Sequence, residues 1–194
     1  MDIQPLVSEQ IVQALRRGEM AIFATDTIYG IHTSALRPEA VERLYNLKGR
    51  DKTKPFIILI SSLNDLKVFK INLDEKTKET LAKLWPAKVS VILPCTEPKF
   101  EYLHRGKNSI AFRLPKKPEL VRLLQMTGPL VSTSANPEGQ KPATSIQEAY
   151  NYFGDDIDIY IDEGPKPDIS STLIELKNGK INILRQGEEK IENI

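Results

Sequence analysis

The side chains best suited to chemistry fall in short polar clusters, each placed where an apolar run gives out. They are TDTIYG (25–30), KGRDKTK (48–54), STSAN (132–136) and SST (170–172), with Arg185 closing the run INILR. The second cluster has the clearest physical meaning. Lys48, Arg50, Lys52 and Lys54 stand close together, relieved by Asp51 alone. A solvated loop with cations at a helix C-terminus would account for them. So would a polyphosphate clamp, in which Arg offers a planar fork and Lys a compact charge. In TDTIYG the Asp26 carboxylate could serve its own turn, or the Thr27 hydroxyl could face a small polar ligand. STSAN holds three hydroxyls and an amide with no His close behind to act as base. It reads either as a cap or Asn turn or as a wall of donors and acceptors for a substrate. SST is weaker, because Ser and Thr are frequent at strand starts.

Several chemistries are excluded. No phosphate-binding G-x-x-x-x-G-K-[ST], no dinucleotide G-x-G-x-x-G and no G-x-S-x-G elbow occurs. Cys95 is the one cysteine, so no intramolecular disulfide forms, and after an apolar strand it reads as packing. Two histidines, His32 and His104, without a Cys or His pair at ligand spacing argue against structural zinc. A chain of 194 residues, 40% hydrophobic and 27% charged, suits one domain over residues 1–194. The net charge of +1 leaves nucleic-acid or membrane binding to local clusters only. The start MDIQPLVSEQ is unlike a leader, and no apolar run approaches about 18 residues, which points to a cytoplasmic protein with no membrane span.

The elements that must position the clusters follow from periodicity. Helices are expected at 7–17, where Ser8 caps and Gly18 stops, and at 38–48, entered by Pro38 and ended by Gly49. Further helices are expected over 74–85, 117–128 and 145–154. Strands are expected at 20–25, 55–60, 89–94, 109–115, 129–133 and 157–162, and a hairpin at 171–185 turns on Asn178-Gly179. The long connection CTEPKFEYLHRGKN (95–108) reads as a functional loop or a lid. Strands alternate with helices and several are apolar throughout, so the fold class is α/β: an open, twisted, mixed sheet flanked by helices. Clusters at strand ends of such a sheet can converge on one cleft.

Taken in order, TDTIYG, KGR with a further Lys, SAN, an STL strand and LRQG resemble the YrdC-like threonylcarbamoyl-adenylate synthases, in their short single-domain form, from about residue 8 to residue 187. The resemblance implies a basic concave cleft. It also implies the reaction of L-threonine, bicarbonate or CO2, and ATP to give threonylcarbamoyl-AMP and pyrophosphate. That product serves modification of the adenosine beside the anticodon of tRNA through a downstream transfer protein. By the same resemblance, Lys48 and Arg50 are the catalytic cations. They, with Lys54, Asn136, Thr144 and Arg185, hold ATP; Thr27, Ser134 and Ser171 hold threonine; Mg2+ rides mainly on the nucleotide, and the protein offers no metal site of its own. This chain departs from the pattern at Ala24 and Asp51, where Pro is usual, at Leu59, where some members have His, and at SST in place of PST. Two rivals share the surface. One is an RNA-binding module using the 48–54 cluster with Lys116, Lys117 and Arg122; the other is a paralogue of altered activity, such as the carbamoyl-transfer domain of hydrogenase maturation proteins. Monomer and dimer both stay open.

Overall fold

A strand rich in Ile, Val and Phe needs cover on both faces, and an amphipathic helix needs a surface for its apolar stripe. The computed structural model describes residues 5–177 and 180–191 and meets both needs with one sheet. Its strands are β1 (Ala21–Ala24), β2 (Tyr29–Ser34), β3 (Ile57–Leu59), β4 (Val89–Pro94), β5 (Ser109–Arg113), β6 (Leu130–Ser134), β7 (Ile159–Tyr160), β8 (Thr172–Lys177) and β9 (Lys180–Arg185). The helices are α1 (Glu9–Arg17), α2 (Pro38–Lys48), α3 (Glu75–Leu84), α4 (Glu101–His104), α5 (Pro118–Thr127) and α6 (Ile146–Phe153). Strand order is β7-β1-β2-β6-β3-β5-β4-β8-β9. The pairs β1–β7, β3–β5 and β4–β8 run parallel and the others antiparallel, so the sheet is mixed and open.

Local chemistry sets the element ends. Ser8 caps α1 by accepting from the Ile11 N–H at 3.3 Å. Pro38 opens α2, where its missing N–H costs nothing. Gly49 ends α2 with φ +58°, a left-handed conformation that strains other residues, and turns the chain into the basic loop.

Alternation along the strands divides the side chains between two faces. One face carries Ile22, Tyr29, Ile31, Ile58, Val91, Phe112 and Val131, packed against Val41 and Leu44 of α2, Leu81 of α3 and Ala149 and Phe153 of α6. The opposite face is covered only in part. Ala21, Phe23, Leu59 and Leu130 pack there against Ile11 and Leu15 of α1 and Leu120, Leu123 and Leu124 of α5. The uncovered remainder of that face is where a cavity forms.

Three expectations need correction. YGIHTS forms the full strand β2, which alternation did not reveal because Gly, His, Thr and Ser fill it; all six residues are buried at the sheet's interior. The strand expected at 157–162 shrinks to Ile159–Tyr160. Segment 95–108 is built rather than loose: a 3-10 turn at Pro98–Phe100 leads into α4. There the Tyr102 hydroxyl donates to Ala35 O at 2.9 Å and the Arg105 guanidinium lies 4.0 Å from the Tyr45 ring centroid. Strands β8 and β9 pair antiparallel as expected, whereas the Asn178-Gly179 turn lies outside the described residues.

Candidate active site

Where the helices leave the sheet uncovered there is a cavity of about 490 Å³. Its floor is sheet: Ile57, Ile92, Ala111 and Leu173 supply an apolar patch, bordered by Ser109, Ser132 and Ser134. The five features expected to converge do so. Thr27 comes from the β1–β2 turn, Arg50 from the loop after α2, Ser134 from the end of β6, Ser171 from the start of β8 and Arg185 from the end of β9. The charged residues lining it, among the described residues, are Arg50, Lys107, Arg113 and Arg185. Gly30, at the cavity wall, leaves room for the His32 ring packed against it. A Cβ there would sit 2.8 Å from His32 Nε2 and 3.0 Å from Thr133 O. His32 below it is buried and stacked on Phe23 at 3.9 Å. Burial lowers its pKa to about 3, so it stays neutral and is no acid near neutral pH.

The basic loop and the STSAN loop are stitched together. Lys48 is buried, and its ammonium donates to the Ser134 carbonyl at 2.6 Å and to that of Asn136. Burial, aided by the charge of Arg50 and opposed by Glu138, brings its pKa down to about 7. The Glu138 N–H donates to Lys48 O at 2.9 Å. Its carboxylate accepts from the Asp51 N–H at 2.7 Å and the Lys54 ammonium at 2.6 Å. Arg50 is braced by donating from Nε to Lys54 O at 3.1 Å and by stacking over Phe56 at 5.0 Å.

Some of the residues singled out from the sequence therefore stand back from the cavity. Lys48 lies behind its wall and Lys54 points to Glu138. Asn136 is buried and ties its own loop, donating to Pro137 O at 2.9 Å and Gln140 O at 2.8 Å, while its Oδ1 is buried without a partner. Thr144 donates its hydroxyl to Glu148 at 2.9 Å at the start of α6.

The opposite end of the cavity turns on a residue that sequence reasoning missed. Arg113, 4% exposed, donates from Nη2 to Asp26 at 2.7 Å and from Nη1 to the Thr27 hydroxyl at 3.3 Å; its Nε is buried without a partner. Burial pulls its pKa down and Asp26 opposes the shift, yet a guanidinium stays charged. The second Asp26 oxygen accepts the Lys116 N–H at 2.8 Å. Asp26 thus serves Arg113 and Lys116 rather than its own turn, and the Thr27 hydroxyl, 2.9 Å from that of Thr25, is left at the cavity wall. Ser171 shares a 3.0 Å hydrogen bond with Ser90, and its carbonyl accepts from Arg185 at 2.9 Å. A lone Arg ending the apolar run SIAF was the available signal for Arg113. Leu59 packs under α1 and α5, away from the cavity.

Lys117, counted toward an RNA-binding face, donates to Ala24 O at 2.9 Å and pairs with Glu163. That leaves the face weaker than the sequence suggested. No helix among the described residues is long and apolar enough to cross a membrane.

Comparison with known proteins converges on one group. The family model Sua5_yciO_yrdC, described as "Telomere recombination", matches residues 13–187. A threonylcarbamoyl-AMP synthase of Pseudoalteromonas translucida is 31% identical over 179 residues, covering 88% of this chain and 93% of that one. The threonylcarbamoyl-AMP synthase of Pyrococcus abyssi is 30% identical over 182 residues, 93% of this chain and 54% of that one. A crystal structure of P. abyssi Sua5 complexed with L-threonine superposes with a TM-score of 0.84 at 28% identity, covering 95% of this chain and 56% of that one. This chain therefore spans just over half the length of the P. abyssi protein.

Proposed function

Since the chain belongs to the Sua5/YciO/YrdC family, we propose that it is a nucleotidyltransferase that joins L-threonine, CO2 or bicarbonate, and ATP into threonylcarbamoyl-AMP with release of pyrophosphate. The observation that carries this reading is the composition of one cavity. Cations and hydroxyls line it, and among the described residues no carboxylate, imidazole or thiol lines it that could act as a base on one of those hydroxyls.

That composition fits the reaction. The threonine amine, once it has lost a proton, attacks CO2 and forms a carbamate. A carbamate oxygen then attacks the α-phosphorus of ATP; the bond from that phosphorus to the β-phosphate oxygen breaks, and pyrophosphate leaves with the charge. Neither step needs a covalent bond to the protein. What the chain must supply is alignment and positive charge where negative charge builds up.

Arg50 and Arg185 suit the phosphates. Lys48 holds the wall that presents Ser134, and its ammonium has a third donor beyond the two given to carbonyls. Asn136 keeps that wall in shape, and Thr144 stands beside it at the start of α6. At the other end, the free Nε of Arg113 suits the threonine carboxylate, and Thr27 and Ser171 suit its amine and hydroxyl. Sites that hydrogen-bond a substrate hydroxyl reject the analogue lacking it by orders of magnitude, so valine should be excluded. The apolar patch of Ile92, Ala111 and Leu173 offers a flat seat for adenine. The lining does not fit a protein-held Mg2+, since among the described residues it provides no carboxylate; a Mg2+ ion would arrive on the nucleotide.

The P. abyssi relative crystallised with L-threonine supports the amino-acid end, and the relatives named threonylcarbamoyl-AMP synthase support the product; a place in tRNA modification in the cytoplasm is part of the same proposal. Feeding ¹³C-bicarbonate with ATP and threonine and analysing the products by mass spectrometry tests this reading. A labelled threonylcarbamoyl-AMP is expected; ATP hydrolysed to unlabelled products would contradict it.

A further inference from the structure

One carboxylate reaches into the basic loop from a distant segment and takes no part in the reaction. Glu138 follows the SAN turn and reaches back to the 48–54 loop. There it takes the Asp51 amide at 2.7 Å and the Lys54 ammonium at 2.6 Å. A backbone amide beside an ammonium is the donor set an oxyanion of phosphate would use. Arg50, one residue from Asp51, already lines the cavity. The bonds from Lys54 and Asp51 hold the Glu138 carboxyl below the usual carboxylate range, so it is ionised at neutral pH.

We propose that Glu138 is an internal stand-in for a nucleotide phosphate, competing with ATP for Lys54 and the Asp51 amide and so setting how tightly this chain binds ATP. The proposal rests on the reading of the cavity as an ATP site, and takes Lys54, turned toward Glu138 rather than the cavity, as a phosphate ligand once the carboxylate releases it. In the nucleotide-free protein the carboxylate keeps the basic loop folded against the STSAN loop despite its crowded cations. When ATP binds, a phosphate oxygen displaces the carboxylate, and two anions are left side by side unless Glu138 swings outward. Glu138 is exposed and its ion pair with Lys54 is at the surface, so the exchange is inexpensive. After the bond to the α-phosphorus breaks, the carboxylate returns to Lys54 and favours departure of pyrophosphate.

The test is calorimetric titration with Mg-ATP, without threonine, on the full chain and on E138Q, E138A, K54A and K54A/E138Q. Removing the carboxylate charge is expected to tighten ATP binding about two- to fivefold, the range an exposed ion pair commands. E138A should agree with E138Q, and thermal melts identify any variant that fails to fold. K54A should weaken ATP binding, and E138Q should give much less gain in the K54A background. Threonine affinity should be the same in every variant. Weaker or unchanged ATP binding in E138Q and E138A, with K54A still impaired, would overturn the competition. Unchanged ATP binding in K54A would overturn the phosphate role of Lys54, and the proposal with it.

Discussion

The partly covered face of the sheet has two halves that differ in almost everything except their backbone. In the closed half, Phe23, Leu59 and Leu130 are sealed under α1 and α5. In the open half, Gly30, Ser132, Ser134 and Arg113 face a cavity. The change happens within single strands. On β6 the same face carries Leu130, then Ser132 and Ser134, and β3 places Leu59 in the closed half two residues from Ile57 at the cavity floor. Strand propensity does not distinguish them. Cover does: where a helix excludes water, an unpaired hydroxyl would be costly, and where none does, the face can afford polar groups that recognise a ligand.

If the halves divide their work in this way, changes in one should leave the other untouched. The largest effect is expected at Arg113. Replacing it by Met should abolish measurable threonine binding by calorimetry and cost about 3–5 kcal/mol of stability, since it strands the Asp26 carboxylate, whose side chain is only 6% exposed. The double variant D26N/R113M should regain much of that stability without regaining threonine binding. Recovery of binding in the double variant would make the pair a purely structural device.

The opposite signature is expected from Leu123→Ala in the closed half. Truncation at this buried site should cost about 2–5 kcal/mol in denaturant unfolding, while the KM values for threonine and ATP stay as they were. A shifted KM would show that the halves are mechanically coupled.

A smaller effect is expected from Thr27→Val, which keeps the shape and removes one hydroxyl. The KM for threonine should rise about three- to tenfold, the range of one hydrogen bond, and the KM for ATP should not move. An equal rise in both would remove Thr27 from the amino-acid end.

Lys48 sharpens the comparison from the pH side. Its folded pKa is about 7 and its unfolded value lies near 10.5. Between those values the unfolded chain binds more protons, so its contribution to stability grows as pH rises through that window. The stability of the natural protein minus that of Lys48→Met should therefore increase from pH 7 to pH 10. Parallel curves would mean that the ammonium is better solvated than its burial implies.

Much of this organisation was legible in the sequence, and what was hidden has a common cause. Apolar runs with terminal Pro and Gly disclosed most strands and helices, and short polar clusters at their ends disclosed where the cavity would be. Strand β2 was hidden because its burial comes from a central place in the sheet, not from its own composition. Arg113 was hidden because one charged residue after an apolar run has no local meaning until its partner is known. Asp26 is that partner, and it lies far away in the chain. Lys48, Lys54 and Asn136 were visible as chemistry-bearing residues, but their hydrogen bonds turn them toward the loops that shape the cavity. Glu138 carried no signal, because its meaning is the closure of two loops that only the fold brings together. Composition and periodicity report what one segment does, and they are silent on pairs made across the chain.

The most direct test of the division between the two halves is initial-rate pyrophosphate release from ATP, with bicarbonate present and threonine, serine or valine supplied in turn. Release that requires both bicarbonate and threonine, falls sharply with valine and disappears in Arg113→Met is the expected result. Release that ignores the amino acid, or that survives loss of Arg113, would contradict the assignment of the open half as the site where threonine meets ATP.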